Sequence, residues 1–209
     1  MTTPAPISIT LPPALLPAAC YYAAIARAGS AGIAMQATYD KRRKETHRYT
    51  IADARGPLTL TVPVQPPHGI PRARWTQVAL SDHGRWQDVH AQALASAYGR
   101  TPYYEHYIPR LAPALFAPGG TPLARQIEAL NRIVLDILLI DTPISYAPEE
   151  VLPMPGPASA GPHWQLRASS MGFLPGLSIL DLIFNLGPEA ALYIRRDFAD
   201  GDCDFSKKL

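Results

Sequence analysis

His90 stands four residues after Trp86, a spacing that puts both on one face of a helix. An imidazole so placed can take or give a proton near neutral pH beside an indole wall. The same pair also describes a packed core around a hydrogen-bonded histidine. Upstream, Tyr39-Asp-Lys-Arg-Arg-Lys-Glu-Thr-His-Arg48 concentrates the positive charge of the chain. Lys41, Arg42, Lys44, His47 and Arg48 suit a phosphate, carboxylate or pyrophosphate, because guanidinium forks match such oxygens. The alternative is a solvated loop. If residues 48–52 form a strand, Arg48 shares a face with Thr50 and is the basic residue best held in place. Tyr98, Tyr103, Tyr104 and Tyr107, with His106, form an aromatic group that could stack on a sugar or base, or simply pack two consecutive helices. Asp181 and Asn185, one turn apart, suit capping or a bond to a neighbouring loop rather than catalysis.

Other chemistries lack their signatures. The chain holds no GxGxxG, Walker A, HExxH or GxSxG string. Cys20 and Cys203 are too far apart for a metal or redox spacing. Cys20 lies in an apolar helical stretch and reads as inert, with a Cys20–His90 pair left open. Hydrolase and metalloenzyme readings are therefore disfavoured, and no metal ligand set is expected. Across 209 residues, 19 Lys+Arg against 17 Asp+Glu leave a net charge of +2, too balanced to point to nucleic acid. The longest apolar runs, Ile133–Ile140 and Ile179–Leu186, carry Asp136, Asp181 and Asn185, so no membrane span is expected. Arg27 is the first charged side chain, unlike the start of a signal peptide. A reduced, cytoplasmic protein is the simplest expectation.

Elements that would position these residues follow from periodicity. With 47% hydrophobic residues and 23 prolines, the chain can build a core from short, rigidly connected elements. Ile7–Leu11 alternates as a strand, Leu15–Ala28 has helical spacing with Gly29 placed as C-cap, and Gly32–Gln36 suits a second strand. Strand–helix–strand implies a parallel crossover, with function expected just beyond Gln36. Tyr49–Ala52 and Leu58–Val64 read as a hairpin that ends or lies at an edge at Pro63. Arg74–Leu80 reads as a strand. A helix from Ser81 or Asp82 to about Ala97 carries Trp86, His90 and Tyr98 on one face. A short helix follows Pro102, and a longer one runs from about Pro122, at its first position, to Ile140. Residues 147–162, rich in Pro, Gly, Ala and Glu, read as an exposed loop. Leu177–Asn185 resumes a helix with Ser178 as cap and Gly187-Pro188 as its stop, and from Arg195 the chain reads as a polar, frayed tail.

Three strings, in order, resemble the WbqC-like family of bacterial proteins. His47-Arg-Tyr-Thr-Ile51 followed by Gly56-Pro-Leu-Thr-Leu-Thr-Val-Pro-Val64 is similar to the family's Asn-Arg-x-x-Ile, Gly, LTVPV block. Trp86-x-x-x-His90, Ala97-Tyr98 and Thr101-Pro-Tyr-Tyr-Glu-His-Tyr107 resemble its Trp, His, AY, PYF and Tyr pattern. Gly172 to Glu189 is similar to its LSIxDLLFNxGPE ending. His47 stands where the family has Asn, either Lys41 or Arg42 corresponds to its upstream lysine, and its opening PY.FP…Y is loosely present in Pro13, Pro17 and Tyr21 or Tyr22.

The resemblance implies a single α/β domain over residues 1–194, with a mixed sheet flanked by helices, a helical C-terminal half and a tail at 195–209. It further implies a transferase that modifies a sugar or nucleotide-sugar precursor of surface, O-antigen-like polysaccharide, by acyl or aminoacyl transfer. His90 would then be the catalytic base. Arg48, His47, Lys41 and Arg42 would bind an anionic small-molecule substrate, and Trp86, Tyr98 and Tyr103 would shape the pocket. Neither cofactor nor oligomeric state is indicated. The competing expectation is a non-catalytic binding or assembly module that uses the same residues as core and partner surface.

Overall fold

A computed structural model describes residues 8–150 and 161–196. The opening is the expected crossover: β1 (Ser8–Leu11), α1 (Ala19–Arg27) and β2 (Ser30–Ile33), with β1 and β2 parallel in the register Ser8↔Ser30 to Leu11↔Ile33. A 3-10 turn at Lys44–Thr46 leads into the antiparallel hairpin of β3 (Arg48–Asp53) and β4 (Gly56–Thr61). Then come β5 (Val64–Gln65), β6 (Ala79–Leu80), α2 (Trp86–Tyr98), α3 (Tyr104–Leu115), α4 (Leu123–Ile137) and β7 (Ile144–Ser145). The described chain ends in α5 (Ala168–Met171), α6 (Ile179–Leu186) and α7 (Glu189–Arg196). Parallel and antiparallel strands both occur, divided among three small sheets: β1-β2-β7, β3-β4 and β5-β6. Helices dominate the second half. One contiguous core joins α1, the hairpin, α2, α3, α4, α6 and α7.

Several boundaries depart from the periodicity. Leu15 and Leu16 are fully buried yet lie before α1, because Leu16 adopts a left-handed backbone (φ 47°) ahead of Pro17. That bend is clamped: the Ser178 hydroxyl donates to the Leu16 carbonyl at 2.8 Å, and Ile179 N–H donates to Pro17 at 2.9 Å. The C-cap of α1 is Ala28, in extended backbone, rather than Gly29. Arg74–Leu80 is mostly not a strand. Trp75–Gln77 coils into a 3-10 turn that buries the indole against Tyr39, and only Ala79 and Leu80 pair. Ser81 and Asp82 do not cap α2, because positive φ at Gly84 and Arg85 interrupts the helical path before Trp86. They accept hydrogen bonds from His83 N–H and Gly119 N–H instead.

The helix after Pro102 is twelve residues long despite Pro109 and Pro113. Both prolines lie on its exposed face, where water can satisfy the carbonyls they leave without an N–H. Buried Gln126 of α4 donates to the Ala114 and Leu115 carbonyls at its end. Pro122 is the N-cap residue of α4 rather than its first helical position. Ser178 caps α6 as expected, accepting from Leu180 N–H, and Gly187 ends it at φ 55°. Helix α7 was not foreseen, and it carries Arg195 and Arg196 inside regular structure. Most of the expected 147–162 loop, and the tail beyond Arg196, lie outside the described residues.

Tyr146–Glu150 passes over β2, where a Cβ on Gly32 would stand 2.6 Å from Pro148 Cγ. Gly32→Ala is therefore expected to lower stability by about 1–3 kcal/mol through overpacking, and Gly32→Ala/Pro148→Ala to recover most of it. Urea unfolding of the four proteins in that cycle measures the coupling.

Candidate functional site

The strongest polar constellation surrounds Asp181, in the first turn of α6 and 1% exposed. Its Oδ2 accepts from His163 Nε2 and from Gln165 Nε2, each at 2.8 Å. Asn185 Nδ2 donates to its Oδ1 at 3.2 Å and to its carbonyl at 2.7 Å, across one helical turn. The Tyr98 hydroxyl also hydrogen-bonds to this carboxylate, and accepts from Ala52 N–H of β3 at 3.1 Å. Burial, then the Asp181 charge, push the Tyr98 phenol well above its ordinary range, so it stays a neutral donor. Gln165 in turn exchanges two hydrogen bonds with Leu174, which fixes the 161–174 segment over α6. Asp181 and Asn185 thus bond a neighbouring loop, as their spacing suggested.

Beside this network lies a cavity of about 60 Å³, lined among others by Ala19, Cys20, His163, Phe173, Ser178 and Tyr193. The His163 side chain is nine-tenths buried, and its Nδ1 has no hydrogen-bond partner among the described residues. Phe173 and Tyr193 meet the imidazole edge-on, with centroids 5.2 and 5.3 Å away, and hold the ring plane. Sequence reading passed over His163 because its partner, Asp181, is 18 positions away. A His-x-Gln string next to a Pro-rich segment was the only local hint.

His90 occupies a different environment. It is 3% exposed, and its Nδ1 is 3.0 Å from the Tyr49 hydroxyl. It has a second hydrogen bond to the Thr61 backbone, and the Trp86 and Tyr49 rings pack edge-on against it. Burial draws its pKa down to about 4, against a smaller upward effect of the Thr61 bond. Trp86 is equally enclosed, its Nε1 donating to the Ser81 carbonyl at 2.9 Å. The expected pocket of His90, Trp86 and Tyr98 is closed: Trp86 and His90 meet in the core, while Tyr98 turns to Asp181. Tyr103 sits at the entry to α3, where its ring covers Gly187 and its N–H donates to the Phe184 carbonyl. It packs helices together.

The basic segment divides. Tyr39, Asp40, Arg42 and Arg43 border an open cleft of about 530 Å³ beyond the carboxyl end of β2, shared with Ala37, Thr38 and Glu149. There Arg42 forks onto both Asp40 oxygens at 3.0–3.2 Å, and Arg43 lies 3.5 Å from Glu45. Lys41 is exposed. Arg74 ties Glu149 and Gln36 to the cleft's other side. His47 and Arg48 instead turn inward. His47 is 7% exposed and its Nδ1 lacks a partner among the described residues, as does the buried Arg48 Nε. Burial first, then Arg48 and Lys44, draw the His47 pKa down to about 4. Among the described residues no group of three His, Cys, Asp or Glu side chains could hold a metal ion, and no helix is long and apolar enough to cross a membrane.

Comparison with known proteins gives one match, to the model of the WbqC-like protein family, over residues 12–154. It spans the hairpin, the basic segment and α2, and stops short of α6. No curated protein and no solved structure matches the chain.

Buried, neutral His90 and His47 have a consequence for acid stability. Unfolded histidine titrates near 6.5, so between that pH and about 4 the unfolded chain binds protons that the folded one refuses. Stability from these two groups is complete above pH 6.5 and falls as pH drops to 4, by roughly 3 kcal/mol for each. Urea midpoints between pH 8 and 4 should show this loss, and His90→Gln should remove about half of it.

Proposed function

The chain belongs to the WbqC-like protein family, and from that premise we propose a transferase that modifies a sugar or nucleotide-sugar precursor of surface polysaccharide, by acyl or aminoacyl transfer. The observation that carries the reading is the cleft beyond β2. A parallel crossover ends there, the position where α/β folds receive ligands, and Tyr39, Arg42 and Arg43 line it. Among the described residues Arg42 is paired with Asp40 alone, at the surface, so a phosphate or carboxylate can take over its fork at little cost. Lys41 adds mobile positive charge nearby. His47 and Arg48 follow at the start of β3, outside the cleft lining. His90, with both nitrogens engaged, serves in this reading as a positioning residue for Tyr49 and the β3–β4 hairpin.

One observation favours a second reading, a binding or assembly module without catalysis: His90 and Trp86 are enclosed and satisfied as core residues. A melting panel of nucleotide-sugars, acyl-CoAs, amino acids and simple phosphates separates the two, followed by a turnover assay with each hit. A ligand at about 100 times its Kd stabilises by roughly 2.7 kcal/mol. The transferase reading expects a phosphorylated ligand to raise the melting temperature, the shift to vanish in Arg42→Ala/Arg43→Ala, and a donor–acceptor pair to turn over. A panel in which no phosphorylated ligand shifts melting, or binding that never leads to turnover, would favour the module.

A further inference from the structure

The cleft beyond β2 holds carboxylates as well as guanidiniums. Arg42 meets Asp40 at 3.0 Å, Arg43 meets Glu45 at 3.5 Å, and Arg74, at the cleft's other side, meets Glu149 at 3.3 Å. Asp40 and Glu149 belong to the lining itself, together with Arg42 and Arg43. An anion that takes over the Arg42 fork therefore leaves Asp40 behind, without a side-chain partner and next to the incoming charge. Asp40 stays in place, because the Arg42 backbone N–H donates to its Oδ1 at 2.9 Å. Hydrogen bonds from the Arg42 side chain, then from its backbone, hold the Asp40 pKa below the usual carboxylate range, so it carries its charge at neutral pH. A bare phosphate thus meets repulsion from carboxylates already in the cleft. A ligand that brings its own cation leaves every one of these charges paired.

We infer that the cleft selects a zwitterion: a phosphate ester held by Arg42 and Arg43 whose carbon frame also carries a primary ammonium, received by Asp40 with Glu149 as a second negative charge; this rests on the cleft being the anion site proposed above. An amino-sugar phosphate has this chemistry, and a cleft of about 530 Å³ has room for it. Tyr39, braced edge-on by Trp75 with ring centroids 4.8 Å apart, gives the carbon frame an uncharged wall. Burial, then the Asp40 charge, raise the pKa of its phenol, so it remains a neutral hydroxyl. Entry needs no rearrangement: the Arg42 and Glu149 side chains are 86% and 69% exposed, and that of Asp40 is 32% exposed.

Probes matched except at the amine test this: glucosamine 6-phosphate with glucose 6-phosphate, glucosamine 1-phosphate with glucose 1-phosphate, and phosphoethanolamine with ethyl phosphate. Titration calorimetry at low ionic strength gives their Kd for the full-length wild type, Asp40→Asn/Glu149→Gln and Arg42→Ala/Arg43→Ala, each checked for an unchanged melting temperature, with the single variants used where a double is unstable. Wild type is expected to bind the amine-bearing member of at least one pair roughly tenfold more tightly, the scale of two surface ion pairs. In Asp40→Asn/Glu149→Gln that preference should vanish, because the amine phosphate binds more weakly while its amine-free partner binds at least as tightly as before. Residues that merely shaped the cleft would weaken both. If the amine brings no gain in any pair, or if Asp40→Asn/Glu149→Gln weakens both members equally, the zwitterion is overturned while the anion cleft stands. If no probe binds, or if binding is unchanged in Arg42→Ala/Arg43→Ala, the anion cleft fails and the zwitterion with it. An amine preference in a protein that turns over no donor–acceptor pair overturns the transferase reading and leaves the zwitterion site in place.

Discussion

The buried carboxylate of Asp181 is the constraint on which the rest of the structure turns. A charge taken out of water costs several kcal/mol unless donors replace the lost hydration. Here they come from separate parts of the chain: Tyr98 at the end of α2, His163 and Gln165 from the segment before α5, and Asn185 from α6 itself. The first turn of α6 adds its positive dipole end. By gathering these donors the carboxylate sets where α2 ends relative to α6 and how the 161–174 segment lies across both. The same Tyr98 hydroxyl accepts from Ala52, which extends the constraint into β3. Ser178, three residues before Asp181, then clamps the bend at Leu16 and binds the Thr50 carbonyl of β3.

Two histidines show how partners decide chemistry. His90 and His163 are both buried and both flanked by aromatic edges. His90 spends both nitrogens on Tyr49 and the Thr61 backbone, with no carboxylate beside it, so it is neutral and closed. His163 meets a carboxylate through Nε2, and its buried Nδ1 has no partner among the described residues. The physical difference lies in the environment, not in the residue type or its local spacing. The basic segment divides on similar grounds. Arg42 stays in water beside Asp40 and Arg43 lies half-buried beside Glu45, while His47 is buried because β3 begins there and its backbone pairs with β4.

What local chemistry dictates was legible in the sequence. The parallel crossover follows from alternation and helical spacing around Ile9 and Ile25, the hairpin from β-branched alternation on either side of Gly56, and the Ser178 cap from its place before an apolar run. The paired positions of Asp181 and Asn185 pointed to a loop contact for the same reason: one turn of helix puts them together. Elements governed by distant partners were not legible. Trp75 coils because Tyr39 offers a face to pack on, α2 starts late because Gly84 and Arg85 take positive φ, and α3 survives two prolines because both face solvent and Gln126 reaches its end.

The candidate site divides along the same line. By itself the sequence determined the residue types, the basic segment after β2 and the family resemblance, because those depend on neighbours in the chain. Only the tertiary structure decided which imidazole is enclosed and which lines a cavity, because burial and hydrogen-bond partners come from residues far apart in sequence. His163 meets Asp181 across 18 positions, and His90 meets Tyr49 across 41. Periodicity extends over one helix or one hairpin, and neither pairing lies within that reach.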